Sequence, residues 1–283
     1  MVDRKYLVLI TTILFLVMSF SFSVKAVETA VTIVPQKQFV KAVTGDDGEV
    51  TVMIPPGYSP GNYAPRPSEL TKFSNAKIYF SMGVPADVQN ILPKVKQFNS
   101  EIKVVKLAEI VGQKYEDRTF ENGSRDPHIW LSPKRVKYII EIMRDELSNI
   151  DPDNQELYRA NANKYIEKLN ETDQKVQEII NQKDNNYMLV YHPSFGYFAE
   201  HYGLNMISIE KGGKEATAKH LEDIIDFAKE NDIKRIFYQA EIDSRQTEAL
   251  AEEINAELIK LDPLAKDYLA NLIEMAKKIS GVD

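Results

Sequence analysis

The sequence predicts an α/β protein of two lobes, each with a mainly parallel sheet flanked by helices, joined by one long backbone helix. Three observations predict it. From residue 29 to residue 106, short apolar runs alternate with amphipathic stretches, the β-then-α order that builds a parallel sheet covered by helices. The same alternation returns between residues 187 and 279. Between the two lies a stretch from about Asp153 to Gln182 whose apolar residues keep to one face.

Thr29 to Val34 reads as a buried strand, and Gln36–Val43 as the helix after it, ended by Gly45. Glu49 to Ile54 is a second strand, with Val50 and Val52 alternating against polar neighbours. Pro55-Pro56-Gly57 then breaks the chain into a loop that runs to Pro67. Ser68 is placed to cap a short helix through Phe73. Lys77 to Ser81 and Ile102 to Lys106 are further strands, with Asp87–Gln97 helical between them. Residues 113 to 125 form a polar loop.

Asp126-Pro127-His128-Ile129-Trp130-Leu131-Ser132-Pro133 delivers one imidazole and then starts a helix. Ser132 suits the cap, and Pro133 suits the first helical position, where its missing N–H would be unpaired anyway. Val136, Ile139, Ile140, Met143 and Leu147 follow at spacings of three and four, one apolar face for a helix over 133–149. Trp130, the single tryptophan, is expected to pin the loop. In the next helix Tyr158, Ala162, Tyr165, Leu169, Thr172, Val176 and Ile179 form one stripe. An ordinary surface helix or a short coiled coil would carry such a stripe too. A length of roughly 45 Å at 1.5 Å per residue favours a strut crossing two lobes.

Beyond it, Tyr187–Tyr191, Asn205–Ile209, Ile233–Tyr238 and Glu257–Leu261 read as strands. Phe195–Tyr202, His220–Glu230 and Arg245–Asn255 read as the helices between them, with Ser244 as cap of the last. A final helix over Tyr268 to Ile279 closes the lobe. The organisation is therefore a leader (1–26), an N-terminal lobe (27–152), a linking helix (153–183) and a C-terminal lobe (184–283).

Arg4 and Lys5 precede an apolar run from Tyr6 to Phe22, and Val24-Lys25-Ala26 resembles a small-x-small cleavage site. That reads as a secretory signal peptide cut after Ala26; an uncleaved membrane anchor is the other reading, because the run approaches the ~18 residues a spanning helix needs. The chain has 283 residues, 43% hydrophobic and 27% charged, which excludes a disordered protein. It has no cysteine, so neither a disulfide nor a lipid-modified cysteine is available. The net charge is −7, and residues 1–26 contribute +2 through Asp3, Arg4, Lys5 and Lys25, which leaves −9 for the rest. That acidity argues against nucleic acid as a partner.

Ligands of open parallel sheets bind outside the carboxyl ends of the strands. In the second lobe the residues just past those ends are His192, Glu210, Gln239 with Glu241, and Asp262. An imidazole and several carboxylates at one edge make a metal-site composition that suits zinc, manganese or iron(II). His128, from the first lobe, would complete the site across the cleft. His201 and His220 fall among charged residues on predicted helices and read as surface positions. Lys211-Gly212-Gly213-Lys214 reads as a polar turn. No Gly-x-x-x-x-Gly-Lys-Ser/Thr phosphate loop occurs.

The Asp126–Pro133 stretch also resembles the signature of the periplasmic or cell-surface binding proteins (cluster A-I) that feed zinc and manganese ABC importers. Four more stretches agree in order: Pro55-Pro56-Gly57-Tyr58-Ser59-Pro60, His192-Pro193-Ser194-Phe195-Gly196-Tyr197-Phe198, Ile236-Phe237-Tyr238-Gln239 and Leu261-Asp262-Pro263-Leu264. The resemblance implies two α/β lobes on a rigid backbone helix that close little on binding. It implies His128, His192 and Asp262 as metal ligands. Two positions depart from the family's pattern. Gly61 stands where relatives carry a histidine, and Gln239 aligns with an acid. Glu241 is the preferred fourth donor, with Glu210, Gln239 and Asn62 as further candidates at the cleft. Many zinc-type relatives carry a histidine-rich loop near residues 113–125; here that loop has no histidine.

The implied protein is a monomer that captures zinc, manganese or iron as cargo and passes it to an ABC permease driven by a separate ATPase subunit. It catalyses nothing itself. Two other readings stay open: the same fold holding a chelated metal or a small organic ligand, and a metal-dependent hydrolase with Glu241 as base.

Overall fold

Strand β1 (Thr29–Val31) is buried at every residue, as a strand must be when helices cover both faces of a parallel sheet. The computed structural model describes residues 27–45, 48–183, 185–211, 214–239 and 245–282. The leader (1–26), Gly212, Gly213, Glu241 and Ser244 lie outside the described residues. In the first lobe β1 pairs in parallel with β2 (Val50–Val52) and β3 (Ile78–Ser81), and β3 pairs with β4 (Lys103–Lys106), in the order β2-β1-β3-β4. Helix α1 (Val34–Thr44) begins earlier than the sequence predicts, and β1 stops earlier. The cause is Gln36. Its buried Oε1 accepts from the N–H groups of Thr32 and Ile33 at 3.0 and 2.9 Å, and its Nε2 donates to the Phe80 carbonyl at 2.9 Å. One side chain thereby satisfies the N–H groups of the cap residue and of the residue before it, and binds the start of the helix to β3.

Helix α2 (Pro67–Phe73) does not use Ser68 as its cap. Pro67 already holds the first helical position, so the cap falls on Arg66, whose N–H donates to Glu69 Oε2 at 2.5 Å. The helix expected over Asp87–Gln97 is broken into a π turn (Asp87–Ile91), a 3₁₀ turn (Leu92–Lys94) and the short α3 (Val95–Phe98). Pro93 has no N–H to give and crowds the preceding turn. Helix α4 (Leu107–Lys114) follows β4 directly and occupies the start of the region expected as loop.

Ser132 does cap α5 (Pro133–Ile150), accepting from Arg135 N at 3.4 Å, and Val136, Ile139, Ile140, Met143 and Leu147 are fully buried. The long helix α6 (Gln155–Ile180) follows a 3₁₀ turn over Pro152–Asn154. It buries the expected stripe except at its end, where Ile180 replaces Ile179. It packs on α5, on α1 and on the last helix of the chain.

The second lobe repeats the first. Strand β5 (Tyr187–Val190) is followed by α7 (Gly196–Tyr202), β6 (Asn205–Ser208), α8 (Ala218–Glu230), β7 (Arg235–Gln239), α9 (Arg245–Ile254), β8 (Glu257–Leu261) and α10 (Tyr268–Ser280). The strands run parallel in the order β6-β5-β7-β8, the counterpart of the first sheet. Alternation along β5 divides the core. Leu189 and Tyr191 point to a small cluster under α8 and α9, whereas Met188 and Val190 join a core that runs through α6 into the first lobe. His201 is not a free surface residue. Its Nε2 pairs with Asp173 of α6 at 2.8 Å. Among the described residues no helix is long and apolar enough to cross a membrane.

Candidate metal centre

His128 sits at the cap of a 3₁₀ turn over Ile129–Leu131. Asp126, almost fully buried, positions it twice: Oδ1 accepts from the His128 N–H at 3.0 Å and pairs with Nδ1 at 2.7 Å. The backbone bond fixes the loop and the side-chain bond fixes the ring. Burial pushes the His128 pKa below the ordinary imidazole value, and the bond to Asp126 opposes this without cancelling it. The Trp130 ring lies 5.2 Å from that of His128. Its Nε1 donates to the Pro263 carbonyl at 2.8 Å, while Trp130 O accepts from Tyr268 OH at 2.7 Å. The tryptophan thus pins its own loop to the β8–α10 connection of the other lobe.

His192 leaves β5 in extended conformation, as the residue before a proline does. Its Nδ1 pairs with Glu210 Oε2 at 2.8 Å. Strand register explains the partnership. Val190 faces Ser208, and the ladder continues through Ile209 N to Val190 O at 2.8 Å and Glu210 N to Tyr191 O at 2.9 Å. Two residues past the matched pair, His192 therefore stands beside Glu210. Glu210, a candidate ligand from its position alone, is engaged as the carboxylate that orients His192.

The two imidazoles, one from each lobe, face each other with ring centres 5.7 Å apart and planes at 76°. Both have Nδ1 tied to a carboxylate, which leaves Nε2 to carry the lone pair. Two imidazoles sharing a tetrahedral ion through bonds of about 2.0–2.1 Å place their ring centres roughly 5 Å apart. The observed separation is compatible with a shared ion after a small approach.

The other candidates are less converged. Asp262, exposed at the end of β8, accepts from Leu264 N at 2.9 Å through Oδ1, and its carbonyl takes the Asn271 amide at 2.7 Å. Gln239 is the last residue of β7 and is buried; its amide donates to Ser194 Oγ. Gly61 and Asn62 lie exposed in a turn closed by the Tyr63 N–H on Ser59 O at 3.3 Å. Glu241 lies outside the described residues. Among the described residues no three His, Cys, Asp or Glu side chains stand close enough together to hold an ion.

Sequence reasoning missed two features. Asp126 lies inside the motif, but its role depends on the loop folding back on itself. The second is the loop that crosses between lobes. Arg118 N donates to Tyr197 OH at 2.9 Å, and Arg118 Nη1 donates to Glu200 at 2.6 Å. Gly196 permits this approach, since a Cβ there would meet Arg118 Nε at 2.8 Å and Asp126 Oδ2 at 2.9 Å.

Comparison with known proteins agrees with this architecture. The sequence model of the family described as zinc-uptake complex component A, periplasmic (ZnuA), matches residues 30–282. The zinc-binding protein AdcA of Streptococcus pyogenes serotype M3 is 29% identical over 259 residues, 84% of this chain and 50% of the relative. The chain thus spans about half the length of the AdcA relatives it matches. The high-affinity zinc uptake system protein ZnuA of Bacillus subtilis is 27% identical over 245 residues, 82% of this chain and 77% of the relative. A crystal structure of ZnuA superimposes with a TM-score of 0.85 at 35% identity, covering 90% of this chain and 98% of the other.

Proposed function

This chain belongs to the zinc-uptake component A family, and on that premise we propose that it is the exported solute-binding protein of a metal ABC importer. It takes up a divalent transition metal between its lobes, in the periplasm or at the cell surface, and delivers the ion to a membrane permease powered by an ATPase subunit. The observation that carries this reading is the pair His128 and His192, contributed by opposite lobes, each with Nδ1 on a buried carboxylate and with rings 5.7 Å apart. Zinc is the favoured cargo, because the relatives are named for zinc and imidazole suits it; manganese is the second.

Asp262 and Glu241 complete the donor set in this reading. Asp262 has Oδ2 to offer, since Oδ1 is used by Leu264 N. Carboxylate tethers raise the basicity of the two imidazoles and hold their tautomers, so capture requires little reorganisation. Ligation displaces protons, so affinity falls below about pH 6.

Thermal unfolding of the metal-stripped chain, with and without zinc or manganese, tests the reading. At 100 times the dissociation constant a ligand specific for the folded state adds about 2.7 kcal/mol, a rise of several degrees for a protein of this size. That rise should vanish in the His128→Ala/His192→Ala variant. The proposal fails if no metal raises the melting temperature, or if the double variant responds as the parent does.

A further inference from the structure

Arg118 stands where the two halves of the site meet. Its backbone runs beside the stretch that carries Asp126: the Asp126 N–H donates to Arg118 O at 2.8 Å, and Thr119 bridges to Arg125 in antiparallel sense. Its side chain then leaves the first lobe. Nη1 donates to Glu200 of α7 at 2.6 Å, and Nε passes 3.9 Å from Asp126 Oδ2. That Nε is buried and has no hydrogen-bond partner among the described residues. The backbone is tied to α7 as well, because Tyr197 OH accepts from Arg118 N at 2.9 Å and stands 3.3 Å from the Asp126 carbonyl. Helix α7 begins just beyond His192, after the turn over Pro193–Phe195.

Asp126 needs such a neighbour. Its side chain is 2% exposed, and Oδ1 alone carries both bonds to His128. The terminal torsion of an aspartate is broad, so the surroundings of Oδ2 decide where Oδ1 points. A histidine that ligates a metal is neutral, so the counter-charge for this buried anion comes from elsewhere. Among the described residues, Arg118 is the lysine or arginine that meets it. A planar guanidinium can face two carboxylates at once, which a lysine ammonium does poorly. We infer that Arg118 is a positioning residue for metal capture: it holds Oδ2 of Asp126 so that Oδ1 stays on the His128 ring, and through Glu200 it fixes that ring relative to α7 and so to His192.

This inference rests on the metal-binding reading above, and the test tells their failures apart. Zinc affinity is measured by chelator competition for wild type, Arg118→Met, Arg118→Lys, Asp126→Asn and the Arg118→Met/Asp126→Asn double variant. Arg118→Met keeps the apolar stem and removes both charged contacts; it should weaken zinc about tenfold, in the range for groups behind a ligating imidazole. Arg118→Lys should lose affinity too, since one point charge cannot serve Asp126 and Glu200 together. In the Asp126→Asn background, Arg118→Met should add little, because the arginine acts through that carboxylate. Histidine ¹⁵N NMR of the metal-free chain gives a readout that a merely structural role would not move: His128 should hold its proton on Nδ1 in wild type and become a mixture of tautomers in Arg118→Met. Glu200 is half exposed, so its ion pair adds little stability, and metal-free melting temperatures should stay near wild type. If Arg118→Met does not fold, Arg118→Lys decides alone. Unchanged zinc affinity, full recovery with lysine, an equal loss in both backgrounds or an unchanged His128 tautomer each overturns the inference and leaves the function standing. A wild-type chain that takes no zinc overturns the function itself.

Discussion

At the scale of single residues, the two histidines owe their use to the carboxylates behind them. Glu210 is 7% exposed and pairs only one nitrogen of His192. Removing its charge while keeping its shape, as in Glu210→Gln, should weaken zinc binding about 10- to 100-fold, the usual cost of losing a carboxylate behind a ligating imidazole. Competition against a fluorescent chelator measures this, and an unchanged affinity would remove Glu210 from the site. Gly196→Ala makes the same argument by sterics. The new methyl would displace the Asp126 carboxylate and so disturb His128, lowering zinc affinity with the fold intact. Both histidines were legible in the sequence, one inside a motif and one just past a strand. The roles of their partners were not. Glu210 was named from its place past a strand, but its pairing with His192 emerges only when β5 and β6 are placed in register, and the role of Asp126 only when its loop is folded back on His128.

At the scale of elements, α6 is held to both lobes by one carboxylate. Asp173 accepts from Lys137 of α5 at 3.0 Å and from Tyr202 of α7 at 2.9 Å, and pairs with His201 at 2.8 Å. Burial alone would raise its pKa, but the bonds from His201 and Lys137 outweigh it and hold Asp173 at about 2. A folded-state pKa below the unfolded value stabilises the protein above about pH 4, and that contribution disappears as pH falls through about 2. Asp173→Asn should therefore cost of order 1–2 kcal/mol near neutral pH after allowance for screening. The deficit against wild type should shrink below pH 4. Urea unfolding of both proteins across that range decides it, and a deficit independent of pH would mean that shape rather than charge matters. Elements with strong periodicity, such as α5 and α6, were readable. Helix α4 was not, because β4 runs into it with no turn residue between Lys106 and Leu107. The break at Pro93 was visible as a proline, but an amphipathic stretch on either side masked its consequence.

At the scale of the whole molecule, the two sheets are separate but the core is not. Phe39 and Val136 of the first lobe, Leu169 of α6, and Val190, Phe237 and Leu272 of the second belong to one continuous apolar cluster. Lobes joined by a packed core rather than by a flexible hinge cannot open widely without exposing it to water. The two mainly parallel sheets could be anticipated from the repeated alternation, though their shared strand order could not. The continuity could not, because it depends on which face of β5 turns toward α6, and a strand buried on both faces gives no such signal. Leu169 is fully buried at the middle of this cluster. Leu169→Ala should cost about 2–5 kcal/mol through lost burial and the cavity left behind. Because both lobes share that core, the loss should lower one cooperative melting transition rather than detach a lobe. Calorimetry of the metal-free chain would show one peak displaced to lower temperature. Two peaks, with only one displaced, would show that the lobes are energetically independent. Capture would then have to proceed by hinge closure, instead of the small approach that a 5.7 Å ring separation requires.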